Sequence, residues 1–461
     1  MPPPFMTPEE IARYQPCAAA SGGQTPMELA RQRMIATGQW TGAQSMGRRW
    51  AIGCVALEIT QRCNLDCTLC YLSESAEAIK DVPLPELFRR IDTIFATYGP
   101  NTDIQITGGD PTLRRSDELV AIVRRIRSKG MRPALFTNGI RASRALLAEL
   151  AEAGLIDVAF HVDMTQRRKG YASEVELNAV RRSYIERARG LGLAVIFNTT
   201  VFAGNFGEVQ EITAFLIAHS DVVTFASFQL QADTGRGVDR ERAVAITSDT
   251  VAAAVCRGAG TFLSFGFPSA GHHRCNQYAM ALICDGRAHD FYDDREFATR
   301  VLHATAHLAF DRRNWRRVLA MVAGWVVRHP GLILPGLKWL GRKIWRMRRD
   351  LIAAHGRVTK LSFFIHDFMG ACQLEKERID ACIFMVATAE GPLSMCLHNA
   401  KRDSLVLKPI RTPTADGEQF WNPVTGLLQS DPQPGARPRL PLRRRKGRDR
   451  PARSSDVKSG R

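Results

Sequence analysis

Between Cys54 and Leu230, strand signals and helix signals alternate six times, and that alternation leaves few folds open. Apolar, β-branched runs read as strands over 55–60, 103–107, 132–137, 157–162, 193–201 and 222–230. Between them, apolar residues recur at helical spacing over 85–98, 117–129, 141–153, 174–189 and 208–219. In the first of these helices Leu87, Phe88, Ile91, Ile94 and Phe95 share a face, and Gly154 closes the third. Strands joined through helices predict a parallel sheet with right-handed crossovers. Six units fall short of a full eight-fold barrel. The expected fold class is therefore α/β: a partial (β/α)6 barrel over 51–240, with a mixed α+β C-terminal extension over 241–410. In such sheets ligand-handling residues lie where strands end and loops begin.

Directly after the first strand the chain reads Thr60-Gln-Arg-Cys63-Asn-Leu-Asp-Cys67-Thr-Leu-Cys70-Tyr71. Three thiols spaced C-x3-C-x2-C can ligate three irons of a four-iron cubane and leave the fourth open. A zinc site would want a fourth ligand close by, and no His or Cys lies within the next dozen residues. Cys63, Cys67 and Cys70 are thus expected to hold a [4Fe-4S] cluster.

The spacing of this loop, with Leu57-Glu-Ile-Thr60 before it and with Asn64 and Tyr71, resembles the radical S-adenosylmethionine (SAM) superfamily. The resemblance implies that the open iron chelates the amino and carboxylate groups of SAM. An electron from the cluster then cleaves a carbon–sulfur bond, and a 5′-deoxyadenosyl radical abstracts hydrogen from an unactivated carbon. It also implies a one-electron reductant such as flavodoxin or ferredoxin. Gly108-Gly109-Asp110-Pro111 resembles the Gly-Gly-Glu motif that contacts the SAM amino group, with Asp110 in place of Glu. Thr137-Asn138, His161 and Asp163, Asn198-Thr199 and Gln229 stand at the ends of later strands. The expected cofactor-binding set is Gly108, Gly109, Asp110, Asn138, Asn198 and Gln229. Each polar strand-end residue could equally serve as a cap or a loop hydrogen-bond partner.

Five further cysteines, Cys275, Cys284, Cys372, Cys382 and Cys396, follow the sixth strand, with His272, His273 and His398 among them. They are either ordinary buried thiols or an auxiliary iron–sulfur site, for which Cys275, Cys284, Cys382 and Cys396 are the expected ligands. The C-terminal extensions called SPASM or twitch carry such clusters, although the tight CxxC of those extensions is missing here. Cys372 to Asn399, with Cys382 and Cys396 flanking Ala387-Thr388-Ala389-Glu390-Gly391, resembles the tetraether lipid synthase-like branch, as does Gln229 to Arg236. Members of that branch join or alkylate lipid chains. Residues 1–50, holding only Cys17, lack the metal-binding domain seen there; they read as a poorly structured lead with one helix near 26–37.

The formal net charge is +17, which raises the possibility of a nucleic-acid partner. Its distribution argues otherwise. Residues 312–349 carry 11 basic and no acidic side chains, and residues 431–461 carry 11 basic against three acidic, which leaves the rest close to neutral. The first of these stretches interleaves Trp315, Trp325, Trp339 and Trp345 with aliphatic residues and Arg316, Arg317, Lys338, Arg342, Lys343 and Arg346, broken by Pro330 and Pro335. Tryptophan and cations around short apolar helices suit an interface with anionic lipid; the alternative is an amphipathic helix packed on the barrel with solvated arginines. The Pro-, Gly- and Arg-rich end, from 411, is expected to be disordered. No secretory signal or membrane-spanning run is found, so the expected location is cytoplasmic, with peripheral membrane contact. The expected activity is radical SAM chemistry on a lipid or isoprenoid chain, forming a carbon–carbon bond or transferring an alkyl group; the alternative is modification of a peptide, with an auxiliary cluster as electron relay.

Overall fold

The computed structural model describes residues 5–14, 31–32, 35, 52–237, 246–268, 271–308, 315–414 and 417–432. The helix expected near 26–37, Cys17 and the end of the chain beyond 432 therefore lie largely outside the described residues. The chain opens with α1 (Pro8–Arg13). The alternating region follows as β1 (Cys54–Thr60), α2 (Leu84–Tyr98), β2 (Asp103–Gly108), α3 (Ser116–Ser128), β3 (Arg132–Thr137), α4 (Arg144–Ala153), β4 (Asp157–His161), α5 (Asn178–Ala188), β5 (Ala194–Val201), α6 (Val209–Ala218) and β6 (Val223–Leu230). After it come α7 (Ser248–Ala259), β7 (Asn276–Cys284), β8 (Arg287–Asp290), α8 (Arg295–Thr305), α9 (Trp315–Arg328), α10 (Ile333–Ala353) and β9 (Thr359–His366). The last elements are α11 (Lys376–Asp380), β10 (Phe384–Thr388), β11 (Gly391–Ser394), α12 (Met395–Ala400), α13 (Arg402–Val406), β12 (Ile410–Thr414), β13 (Gly417–Trp421) and β14 (Leu428–Gln429).

The six expected strands pair in parallel and in sequence order. The array does not stop at six. β9 adds in parallel beside β6, and β10 adds in parallel beside β1, so eight parallel strands run from β10 to β9. The extension thus completes the sheet that the first half begins. Phe384 of β10 comes within 5.8 Å of Phe364 of β9, ring centre to ring centre, so the two margins of the curled array meet through side chains. β11 and β7 close the margins in antiparallel fashion, and β8 pairs with β7.

Burial alternates along the strands. In β2, Ile104 and Ile106 are buried while Gln105 and Thr107 are partly exposed. The buried set joins Leu135, Phe160, Phe197, Phe228, Phe363 and Ile365 in the core under the helices. The pairing register puts Gln105, Ala159, Ile196, Phe225 and Phe364 on the opposite face, toward the interior of the array.

Two expectations about the later chain are corrected. The loop expected over 266–294 holds β7 and β8. The disorder expected from 411 starts too early, because β12, β13 and β14 form an antiparallel sheet. Its ends are buried at Ile410 and Trp421, and Gly417, at φ 111°, opens the return strand. An apolar anchor at each end outweighs the Pro- and Gly-rich composition.

Candidate active site and metal-binding cysteines

Cys63, Cys67 and Cys70 sit in the loop that leaves β1. Backbone on both sides grips this loop. Gly109 and Asp110 donate their N–H groups to the carbonyls of Thr60 and Arg62 at 2.9 and 2.8 Å. A Cβ at Gly108 or Gly109 would overlap those same two carbonyls, so only glycine lets the end of β2 lie this close. On the other side, Arg236 and Gly237 donate to the carbonyls of Leu72 and Cys70, each at 2.9 Å. A Cβ on Gly237 would overlap the Cys70 nitrogen. The loop is also tied down by Thr60 and Arg62, which both reach Asp81.

The three thiols share one electrostatic neighbourhood. Burial, then the proximity of Asp110 and Cys70, pushes the Cys63 thiol up to about 11. Burial, then Cys70, Asp163 and Cys63, pushes the Cys67 thiol well up. Such thiols release their protons when a metal takes their place. The Arg236 guanidinium hydrogen-bonds to Cys70 and also holds Glu77 at 2.9 Å. Asn138 Nδ2 lies 3.9 Å from Cys63 Sγ and donates to Asn64 Oδ1 at 2.6 Å. Among the described residues no three His, Cys, Asp or Glu side chains gather as tightly as one metal ion would draw them. A four-iron cluster is a wider body whose thiolates stand farther apart, and three cysteines without a nearby fourth ligand suit it better than they suit zinc.

Asp110 needs correction. Its carboxylate is fully buried and already saturated. It accepts from the backbone N–H groups of Thr112 and Asn138, both at 2.9 Å, and from the hydroxyls of Thr112 and Thr137. A carboxylate offers about four acceptor positions, so nothing remains for a SAM amino group. Asp110 instead clamps the end of β2 to the end of β3. The shorter side chain is what allows it to cap its own turn.

His161, Asn198 and Ser227 stand in register across β4, β5 and β6, and Thr200 pairs with Gln229, which pairs with His366. His161 Nε2 is 2.6 Å from the buried Asp163 carboxylate and 3.3 Å from Thr200 Oγ1. Burial opposes a charge on His161, but the Asp163 carboxylate and its hydrogen bond outweigh it and raise the pKa. Asp163 is penalised by burial as well, yet His161 and the Thr165 and Thr200 donors hold it down to about 2. Asn198, almost fully buried, makes no side-chain hydrogen bond among the described residues, and neither does Gln229. His366 was not singled out by sequence. Its ring stacks on Phe368 at 5.0 Å and touches Phe364 and Phe384, and burial drops its pKa to about 3, leaving a neutral imidazole. The alternation in Thr359–His366 was the signal that could have placed it on a strand.

A second group of thiols forms from distant parts of the chain. Cys275 precedes β7, Cys382 precedes β10, and Cys396 lies in the first turn of α12. Burial, offset in part by Arg378 and reinforced by Cys382, moves the Cys275 thiol up to about 11. Burial and then Cys382 and Cys275 push Cys396 higher still. Arg378 Nε donates to Cys275 Sγ at 3.3 Å. The fourth expected ligand, Cys284, is not there. It ends β7, whose nine residues begin next to Cys275, so roughly 25 Å of strand separates the two. Its thiol donates to the Arg357 carbonyl at 3.4 Å. Among the neighbouring histidines, His272 stacks on His273 at 4.7 Å, while His398 faces Glu58.

The basic helices are also partly reassigned. Lys343 is buried and pairs with Asp293 at 2.7 Å, Arg342 pairs with Asp294 at 2.8 Å, and Arg346 pairs with Asp293 at 2.5 Å. With Trp339 and Met347, Lys343 forms the face of α10 that packs on the body, since 339, 343 and 347 recur at helical spacing. The opposite face is bare: Leu334, Leu337, Leu340, Ile344 and Trp345 are 62%, 60%, 47%, 51% and 67% exposed. No single helix among the described residues is long and apolar enough to cross a membrane; α9 and α10 pass that test only as a pair bent by 99°.

Residues 57–216 match the model of the radical SAM superfamily. Among curated proteins, the chain is 27% identical over 186 residues to a 7,8-dihydro-6-hydroxymethylpterin dimethyltransferase of Methanocaldococcus jannaschii, covering 39% of this chain and 36% of that protein. It is 30% identical over 162 residues to a probable GTP 3′,8-cyclase of Thermococcus kodakarensis, covering 34% of this chain and 51% of that one. The matched part therefore spans only about a third of the first relative and about half of the second. Among solved structures, methylornithine synthase aligns with a TM-score of 0.34 at 13% identity, covering 55% of this chain and 76% of that one.

Proposed function

We propose, on the premise that this chain is a radical SAM enzyme, that it acts on the hydrocarbon chain of a lipid or isoprenoid met at a membrane surface. Its family implies a [4Fe-4S] cluster and SAM. In this reading Cys63, Cys67 and Cys70 hold that cluster, and Cys275, Cys382 and Cys396 hold a second one with three thiolates. The bound cofactors supply a carbon-centred radical able to take hydrogen from an unactivated carbon.

The chain's own residues do the rest. Gly108 and Gly109 hold the cluster loop at van der Waals distance from the end of β2. Asn138 supports Cys63 and Asn64, and Asn198 and Gln229 offer side-chain amides toward the SAM and substrate space. His161 Nε2 lies 2.6 Å from the buried Asp163 carboxylate, which favours the charged form of the imidazole at this end of β4. Ile196, Phe225 and Phe364, with Phe225 and Phe364 stacked at 6.0 Å, give that interior an apolar wall that excludes water.

The observation that carries the lipid reading is the bare stripe on α10. Five large apolar side chains stand exposed along one face, with Lys338, Arg348 and Arg349 on the same helix. A soluble protein seldom leaves so much apolar surface contiguous unless something covers it. Each leucine buried in lipid would contribute about 1.5–3 kcal/mol, and each cation near anionic headgroups about 1 kcal/mol. Co-sedimentation with vesicles containing phosphatidylglycerol tests this. The parent protein should bind, and Leu334, Leu337, Leu340 and Ile344 replaced together by Ser should abolish binding. Replacing Lys338 and Arg349 by Gln should weaken binding at low salt only. No binding by the parent at low salt would remove the membrane surface from the proposal.

A further inference from the structure

A cavity of about 450 Å³ opens beside the cysteine loop, walled by Leu65, Arg167, Arg168, Lys169, Tyr184 and Arg187 among others. Leu65 is the residue midway between Cys63 and Cys67. Four cations and no carboxylate line this cavity. That is unusual for this barrel, where Arg62, Arg90, Arg125, Arg181 and Arg189 each hold an acid. Among the described residues Arg167, Arg168, Lys169 and Arg187 form no ion pair. Arg168 is fixed by neutral partners instead: Gln166 at 2.7 Å, the Tyr184 hydroxyl at 2.8 Å and the Asn138 carbonyl at 2.6 Å. Arg187 donates to the Gly139 carbonyl at 2.9 Å and lies over the Tyr184 ring at 4.7 Å. Held in this way, the guanidinium groups keep their charge uncompensated at the surface.

We infer that this cavity and its rim are the docking surface for an acidic one-electron carrier protein of the flavodoxin type, an inference that rests on the cluster assignment at Cys63, Cys67 and Cys70. The charge complements such a carrier. Leu65 supplies a small apolar contact ringed by cations, which suits a transient redox interface. A short route leads inward, from Arg168 through its hydrogen bond to Asn138, whose amide lies 3.9 Å from Cys63 Sγ. The step is a bare electron transfer: the reduced carrier loses one electron, the cluster gains it, and no bond forms or breaks. Steering by the four cations speeds the encounter and weakens as salt screens it, over about 8 Å at physiological ionic strength.

The test uses the full chain with both exposed cations reversed, Arg167→Glu with Lys169→Glu. Affinity for oxidised flavodoxin is measured by calorimetry across a salt series, and electron transfer is followed by flavin absorbance after rapid mixing. Dithionite serves in parallel as a small reductant that needs no docking surface. The expected result is at least a tenfold loss of flavodoxin affinity at low salt, a flattened salt dependence, and SAM cleavage with dithionite within twofold of the parent. Equal flavodoxin affinity in parent and variant, or a parent that binds inorganic phosphate in this cavity and no flavodoxin, would overturn the inference. Failure of the cluster assignment has a different signature: flavodoxin still discriminates parent from variant, while dithionite drives no SAM cleavage in either.

Discussion

The two groups of cysteines solve the same problem in opposite ways. Cys63, Cys67 and Cys70 lie within eight residues of one loop, and the rest of the barrel only has to hold that loop still. Cys275, Cys382 and Cys396 come from three separate elements and meet only after β9, β7, β10 and β11 have joined the sheet. The first site is local and survives as long as its loop is gripped. The second is a readout of the completed fold. Both place a buried arginine against a cysteine, Arg236 on Cys70 and Arg378 on Cys275. Burying several thiolates together is costly without a compensating cation. The lesson is that charge compensation recurs although chain proximity does not.

The largest effect expected from this contrast concerns iron. Replacing Cys275, Cys382 and Cys396 together by Ala should cost about four irons per chain, one cubane's worth, with the loop site retained. Cys284→Ala should cost none. Iron and sulfide analysis after anaerobic reconstitution checks both, and iron loss in the Cys284 variant would put that residue back among the ligands.

A smaller effect concerns the link between the two sites. Glu58, on the strand that leads into the first loop, is held by Arg402 at 2.8 and 2.9 Å, and Arg402 follows the helix that carries Cys396. Both partners are almost fully buried. Arg402 also lies over the Tyr71 ring at 4.6 Å, and Tyr71 donates to the Gly108 carbonyl at 2.6 Å. Removing one member of a buried pair strands the other, at a cost of about 3–5 kcal/mol. Arg402→Ala should lower the unfolding free energy by that amount at pH 7, read from denaturant titrations. Burial pushes Glu58 up, but Arg402 and His398 override it and bring the carboxyl from 4.5 down to about 2. A depressed carboxylate stabilises the fold above its unfolded pKa and loses that contribution as pH falls through the folded value. The penalty of Arg402→Ala should therefore be full above about pH 4.5 and shrink toward pH 2. A penalty that does not change with pH would mean that Arg402 does not hold Glu58 below its ordinary carboxylate range.

The same contrast explains what could be read from sequence. The six-strand alternation and the cysteine loop are local patterns, and both were legible. β9 and β10 were not, because their partners lie more than a hundred residues earlier, at β6 and β1, and no local signal names a distant partner. Cys284 was chosen by counting cysteines, whereas the apolar run from Tyr278 to Ile283 would have put it and Cys275 at opposite ends of one strand. Lys343 was read as a surface charge, although it shares the face of Trp339 and Met347. Asp110 followed a motif, and nothing in the motif told that Thr112, Thr137 and the Asn138 N–H would occupy its carboxylate.

The proposed placement of a SAM-cleaving cluster on the loop after β1 stands or falls on Cys67. Its most direct measurement is 5′-deoxyadenosine formed under reducing conditions by Cys67→Ala, with iron counted in the same sample. Cys67 lies beside Cys63, Cys70 and Asp163. That placement requires no 5′-deoxyadenosine above background and loss of about four irons, with the iron at the second site retained. Undiminished 5′-deoxyadenosine from that variant would contradict it.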